Sequence, residues 1–137
     1  MTNLSKAHQL RGKGNKYKAQ RVQCLDGGPD YRSGLEVRVH EALRLMEKAG
    51  AIRNIRREQS IQITPSIAHK LDFIVFDVAR NTDIGIEAKG FNDKTWAEKA
   101  KCYKDFGVFP VQVWGIKNGV LGPQREIPVG KYKIVEK

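Results

Sequence analysis

The chain has 137 residues, 40% of them hydrophobic, which is enough for the core of one domain and excludes a chain that is disordered throughout. Twenty-five basic residues against 15 acidic ones give a formal net charge of +10, which favours a polyanionic partner such as nucleic acid. No apolar run is long enough to cross a membrane, and the N-terminal residues 1–16 lack the apolar stretch of a secretory signal. The two cysteines, Cys24 and Cys102, cannot form a disulfide framework or a zinc finger. We therefore expect a protein of the reducing cytoplasm with no membrane partner.

Residues 1–30 are predicted to form a basic, flexible N-terminal arm ahead of a folded domain at 31–137. The first 23 residues contain no acidic residue, and a turn cluster follows at 25–31. Basic arms of this kind lie along phosphates, although a tail without a specific role has the same composition. The candidate phosphate-binding residues of the arm are Lys13, Lys16, Lys18 and Arg21.

A helix is predicted over 34–49. Ser33 can serve as its N-cap, Glu36 completes a capping box, and Gly50 is suited to end it. Apolar residues recur at helical spacing, which places Glu36 near the boundary of the core. The residues of this stripe are Leu35, Val39, Ala42, Leu43, Met46 and Ala49.

The remaining elements alternate between strand and helix patterns. Strands are predicted at 59–64 within the alternating segment 52–64, at 71–78, 83–90 and 108–116, and as a short last strand at 132–135; a second helix is predicted at 93–106. The order helix, strand, strand, strand, helix, strand predicts an α/β fold in which helices flank a mixed β-sheet.

Glu87 and Lys89 share one face of the predicted strand 83–90, because side chains two residues apart on a strand point the same way. If this strand pairs in antiparallel fashion with 71–78 through a four-residue loop, Asp72 lies opposite Glu87. Their Cβ atoms would then be roughly 5 Å apart, and two carboxylates at that distance repel unless a cation lies between them. A register shifted by one residue would turn Asp72 to the other face unless a bulge corrected it.

These residues suggest a divalent metal site whose ligands are all oxygen atoms. The predicted ligands are Asp72, Glu87, the Ala88 carbonyl and Glu36. Hard oxygen ligands suit Mg²⁺ or Mn²⁺, which can polarise a phosphodiester and lower the pKa of bound water. Lys89 is placed to orient that water and to offset developing charge, so the expected reaction is phosphodiester hydrolysis, with Glu36, Asp72, Glu87 and Lys89 as the catalytic set.

The spacing Asp72, fourteen residues, then Glu87-Ala88-Lys89 resembles the PD-(D/E)XK nuclease motif, with Leu71 in place of the usual proline. The segments YRSGLE (31–36), LDF (71–73) and EAKG (87–90) resemble FRSGLE, PDF and ETKG of the phage endonuclease I family, which resolves Holliday junctions. NKYKA, EKAGAI and QSIQITP are similar to segments of a small, uncharacterised phage family assigned to the same nucleases.

The resemblance implies a restriction-endonuclease-like core and a phage-encoded enzyme of the host cytoplasm. Its active site would use Glu36, Asp72 and Glu87 as metal ligands and Lys89 as the catalytic lysine. The implied substrate is branched DNA, above all a four-way junction, and two symmetric cuts imply a homodimer. Further DNA contacts are expected from Arg32, Lys94, Lys101 and Lys104.

Other interpretations stay open. The protein can be a nicking or single-strand nuclease of phage replication or recombination, or a DNA-binding accessory protein without catalysis, and charge alone does not distinguish DNA from RNA. At residue level, Glu36 can be a helix cap only, Glu87 and Lys89 a surface ion pair, and Asp72 the start of a strand.

Overall fold

The computed structural model describes residues 23, 28, 30–89 and 94–133. They form a five-stranded mixed sheet and two helices, so the predicted α/β class with a helix-flanked mixed sheet is confirmed. The four candidate residues of the arm, at positions 13, 16, 18 and 21, lie outside the described residues. The elements are α1 (Gly34–Lys48), β1 (Ile52–Thr64), β2 (Ile67–Asp77), β3 (Thr82–Ala88), α2 (Lys94–Phe106), β4 (Val111–Lys117) and β5 (Val120–Ile127).

The strands lie in the sheet in their chain order, β1-β2-β3-β4-β5. Neighbouring strands are antiparallel except β3 and β4, which are parallel and are joined by α2. The β2–β3 pairing has the predicted register, since Phe73 lies opposite Ile86 and Asp77 lies opposite Thr82. In this register Asp72 and Glu87 come together at the end of the hairpin that lies away from its turn.

Helix α1 begins and ends almost as predicted. The Ser33 hydroxyl accepts a hydrogen bond from the Glu36 backbone N–H at 3.2 Å, as an N-cap does. The predicted capping box forms only in part, because the Glu36 carboxylate accepts from the backbone N–H of Arg32 instead of Ser33. At the other end Gly50 adopts φ +85°, and the N–H groups of Gly50 and Ala51 donate to Glu47 and Met46 in a Schellman motif.

The two helices cover opposite faces of the sheet. Val39 and Leu43 of α1 pack against Phe73 and Val75 of β2, whereas Ile74, the residue between them, belongs to the cluster around α2. Alternation through Phe73, Ile74 and Val75 divides the core into two parts, although Leu71, two residues before Phe73, lies in the second part. The second part contains Trp96, Ala100 and Tyr103 of α2, together with Leu71, Val111 and Ile127. Neither described helix is long and apolar enough to cross a membrane.

The described part of the predicted C-terminal strand 132–135 is not a strand. Tyr132 and Lys133 have no regular structure, and the rest of the predicted strand 132–135 lies outside the described residues. The last described strand is β5, which follows β4 through a tight turn at Asn118 and Gly119, with φ +53° and +77°. Two positive φ angles are those of a type I′ hairpin turn, for which Asn-Gly is the preferred pair. The predicted strand 108–116 also begins later, at Val111, after Pro110.

Candidate metal centre

Three carboxylates from three different elements meet at one end of the sheet. Glu36 of α1, Glu58 of β1 and Asp72 of β2 each have an oxygen within 4.8 Å of the other two. Glu36 and Asp72 are only 1% exposed. Buried carboxylates at such distances require positive charge to balance them, and a divalent cation supplies it most compactly.

Glu87 lies beside this group and is attached to it through the backbone. Its Oε1 accepts from the Asp72 N–H at 3.2 Å, while Asp72 Oδ2 accepts from the Ala88 N–H at 2.8 Å. These reciprocal bonds follow from the predicted register, which places residues 72 and 87 opposite each other. Asp72 and Glu87 are therefore held by the main chain of two strands and not by flexible side-chain contacts.

The predicted lysine is also at the site. Lys89 Nζ lies 3.5 Å from Glu87 Oε2 and 5.8 Å from the centre of the Trp96 ring. The structure therefore brings Glu36, Asp72, Glu87 and Lys89 into one chain of contacts.

A second basic group reaches Glu87 from β2. His69 Nε2 lies 3.5 Å from Glu87 Oε2, and His69 Nδ1 lies 3.0 Å from the Tyr103 hydroxyl of α2. If the hydroxyl donates to Nδ1, the Nε2–H faces the carboxylate, so His69 orients Glu87. The sequence does not predict these contacts of His69, because its link to residue 103 depends on how α2 lies on the sheet.

Arg32 is placed differently from its predicted role in DNA binding. Its guanidinium donates to Asp72 Oδ1, and its Nε lies 3.8 Å from Glu36 and 4.0 Å from Glu58. Its backbone N–H also donates to Glu36 Oε1 at 2.9 Å. Arg32 thus neutralises part of the charge of the three buried acids.

Glu58 was missed by the sequence analysis. It adopts φ +55°, in the left-handed region that non-glycine residues rarely occupy. Its neighbours Arg57 and Gln59 pair with Phe73 and Leu71, so Glu58 lies across from Asp72. Backbone strain of this kind is concentrated at functional sites. The sequence does show Glu58 as an acidic residue within a basic strand, but its place at the site becomes clear only from the register between β1 and β2.

The donor set fits a hard divalent cation. Glu36 Oε2 and Glu58 Oε2 are buried and accept no hydrogen bond, and the nearest charged partner of Glu36 Oε2 is Arg57 at 4.0 Å. Burial raises the pKa of Glu36, which shows that the protein charges surrounding it do not offset its desolvation. Carboxylates with free lone pairs are the ligands that Mg²⁺ and Mn²⁺ prefer.

The predicted DNA contacts on α2 are only partly described. Lys101 and Lys104 are exposed on the helix, and Lys94 is its first residue, although the Lys94 side chain is not described. Trp96, Ala100 and Tyr103 of the same helix are buried against the sheet. The two described lysines are therefore positioned to meet a polyanion from the solvent side.

Comparison of the chain with protein-family models, with curated proteins and with solved structures finds no match.

Glu36→Gln is expected to stabilise the protein at neutral pH when no divalent cation is present. Because the pKa of Glu36 is raised from 4.5, the folded state binds its proton more tightly than the unfolded chain. Stability is consequently lost as pH rises above 4.5 and through the folded pKa, and glutamine removes that loss. Thermal unfolding in EDTA should show a gain of about 1 kcal/mol, roughly 3 °C, at pH 8, and little gain at pH 4.

The matched control is Glu47→Gln, an exposed carboxylate on the same helix, which should show no such pH-dependent gain. A Glu36→Gln protein that is less stable than wild type across the whole pH range would contradict the argument.

Proposed function

We propose that the protein is a divalent-metal-dependent endodeoxyribonuclease with a restriction-endonuclease-like PD-(D/E)XK core. The observation that carries the proposal is the buried acid cluster: Asp72 lies within reach of Glu36 and Glu58, and reciprocal backbone bonds join it to the Glu87-Ala88 segment. Lys89 stands 3.5 Å from Glu87, so a positive charge borders the acids. The order of α1, three antiparallel strands, α2 and a parallel strand is compatible with that core.

The proposed roles follow from the positions of the side chains. Glu36, Glu58 and Asp72, whose oxygens lie within 4.8 Å of one another, would hold Mg²⁺ or Mn²⁺. Glu87 and the Ala88 carbonyl, the other two ligands expected from the sequence, would complete the set. The cation would polarise the phosphodiester and lower the pKa of the attacking water. Lys89 would orient that water and offset charge on the phosphate, and its 23% exposure lets it face both the site and the substrate.

The charge of the chain supports a nucleic acid substrate. The formal net charge of the chain is +10, which favours a polyanionic substrate. Lys101 and Lys104 lie on the exposed side of α2, whose buried side reaches the site through Tyr103 and His69. A phosphate backbone bound near the start of α2 would lie close to Lys89, whose Nζ is 5.8 Å from the centre of the Trp96 ring.

The substrate we propose is branched DNA, a four-way junction in particular, which a homodimer would cut at two symmetric positions. Support for this finer assignment comes from the YRSGLE segment, because its arginine, serine and glutamate all lie at the acid cluster or at the cap of α1. Two other nuclease activities, nicking and single-strand cleavage, need the same four residues and differ only in the DNA that is accepted.

The test is cleavage of three labelled DNAs, a four-way junction, a linear duplex and a single strand, each with Mg²⁺, Mn²⁺ or EDTA. We expect paired symmetric cuts in the junction that are lost in EDTA and in Glu87→Gln. The matched control is Asp83→Asn, since Asp83 lies on the same strand β3 but pairs with Arg56 at 2.9 Å, away from the acids. This control should cut like wild type.

Each other outcome has a definite meaning. Cutting of all three DNAs with the same metal and Glu87 dependence would keep the nuclease and remove the junction assignment. Tight DNA binding that is equal in EDTA and Mg²⁺, with no cutting in either metal, would overturn the enzyme and favour a DNA-binding accessory protein.

A further inference from the structure

Arg32 is far more exposed to solvent than the acids that it contacts. The side chains of Glu36 and Asp72 are 2% exposed, whereas the Arg32 side chain is 43% exposed. The guanidinium therefore covers the cluster from the solvent side, at its opening. Its retention there depends on ion pairs and not on burial, because a half-exposed arginine keeps much of its hydration while it is bound.

Arg32 and a divalent cation compete for the same oxygen. The guanidinium donates directly to Asp72 Oδ1, and the other Asp72 oxygen already accepts from the Ala88 N–H. A cation that is bound by Asp72 and Glu36 would need the space and the lone pairs that the guanidinium occupies. A cation bound to Asp72 would also lie next to the guanidinium, and two positive groups repel each other strongly where little water screens them.

The main chain at Arg32 is held by contacts that do not depend on its guanidinium. The Arg32 N–H donates to Glu36 Oε1 at 2.9 Å, and the next residue, Ser33, caps α1. Rotation about the side-chain bonds can therefore remove the guanidinium from Asp72 without disturbing the helix start. A flexible arginine anchored at the rim of a site can reach a bound phosphate in the solvent in front of it.

We propose that Arg32 is a displaceable counter-ion: it neutralises the acid cluster in the metal-free protein, leaves Asp72 when a divalent cation binds, and then binds a DNA phosphate. The inference rests on the proposed function, since it requires a cation at the cluster and a nucleic acid in front of it. Arg32 would then contact the acid cluster in the metal-free protein, as in the structure, and DNA in the metal-bound protein, as the sequence predicts. It also couples the two ligands, because cation binding releases the group that the DNA needs, and such coupling is reciprocal.

The first test is titration calorimetry with Mn²⁺ in the absence of DNA. Arg32→Gln should bind Mn²⁺ about tenfold more tightly than wild type, because the cation no longer displaces a resident charge. The matched control is Arg56→Gln, which removes an arginine whose ion pair with Asp83 lies outside the cluster, and it should leave the Mn²⁺ affinity unchanged.

The second test is the thermal stability of the same proteins. In EDTA, Arg32→Gln should unfold at a lower temperature than wild type, because the buried carboxylates lose a counter-ion, and saturating Mn²⁺ should abolish that difference. A purely structural role would keep the deficit in Mn²⁺. Arg32→Lys keeps the charge but not the planar guanidinium, so its unfolding temperature in EDTA should lie between those of wild type and Arg32→Gln.

The third test is DNA binding in a Lys89→Met background that prevents turnover. Mn²⁺ should increase the affinity for the four-way junction when Arg32 is present. This increase should be about tenfold smaller in Arg32→Gln, whereas the two proteins should bind the junction equally well in EDTA. Equal Mn²⁺ affinity in wild type and Arg32→Gln overturns the displacement but leaves the nuclease intact. Absence of Mn²⁺ binding in both proteins overturns the proposed function itself, so the two failures are distinguishable.

Discussion

Asp72→Asn is expected to lower the rate of DNA cleavage about 10³-fold and to abolish the heat of Mn²⁺ binding. Asp72 joins the acid cluster to β3: its carboxylate lies within 4.8 Å of those of Glu36 and Glu58 and accepts from the Ala88 N–H, and its own N–H donates to Glu87 Oε1. Asparagine preserves the acceptor for the Ala88 N–H, so the hairpin should remain paired. The loss should therefore appear in the cleavage rate and not in folding.

The matched control for this prediction is Asp77→Asn. Asp77 lies on the same strand β2 and accepts from the Arg80 N–H at 3.2 Å, at the opposite end of the hairpin from the acids. It should retain wild-type cleavage. An Asp72→Asn protein that is folded and still cuts within tenfold of wild type would contradict the assignment of this carboxylate.

Phe73→Ala is expected to cost about 4 kcal/mol of unfolding free energy and to lower the melting temperature by roughly 15 °C. Phe73 is fully buried, lies opposite Ile86, and has its ring 5.4 Å from that of His40 on α1. Deleting the ring leaves a cavity between β2 and α1. Since the free energy of unfolding of a small domain is only about 5–15 kcal/mol, this loss should be visible as partial unfolding at 37 °C.

The comparison for Phe73→Ala is Phe76→Ala on the same strand. Phe76 is half-buried, and its ring lies under the Arg53 guanidinium at 4.5 Å, so truncation should cost only about 1 kcal/mol. Chemical denaturation of the two variants measures the difference. Equal losses would show that the core does not lie where α1 covers β2.

The sequence predicted most of the fold because its patterns are local. Ser33, the apolar stripe through Val39 and Leu43, and Gly50 all act within one helix, so the bounds of α1 could be read with an error of one residue. The pairing of β2 with β3 was also predictable, because a short loop between two strands leaves few registers, and only one of them places Asp72 beside Glu87.

The misses have a common physical cause, which is dependence on contacts between distant segments. Glu58 becomes significant only once β1 is placed against β2, and the ion pair between Arg32 and Asp72 joins the approach to α1 with the middle of the sheet. Strand β5 is a different case, since Asn118-Gly119 is a local turn pattern that the sequence analysis did not use. Its Pro123 makes the strand less recognisable, because proline is rare within paired strands.

The irregular backbone of β1 has a consequence for self-association. Among the described strands, β1 and β5 form the two edges of the sheet. Asn54 and Glu58 interrupt β1 with left-handed residues, and Pro123 removes a hydrogen-bond donor from β5. Edges of this kind are poor templates for another strand, which protects a sheet from growing into aggregates. In the proposed homodimer, two copies would therefore meet through helical or loop surfaces and not through a continuous ten-stranded sheet.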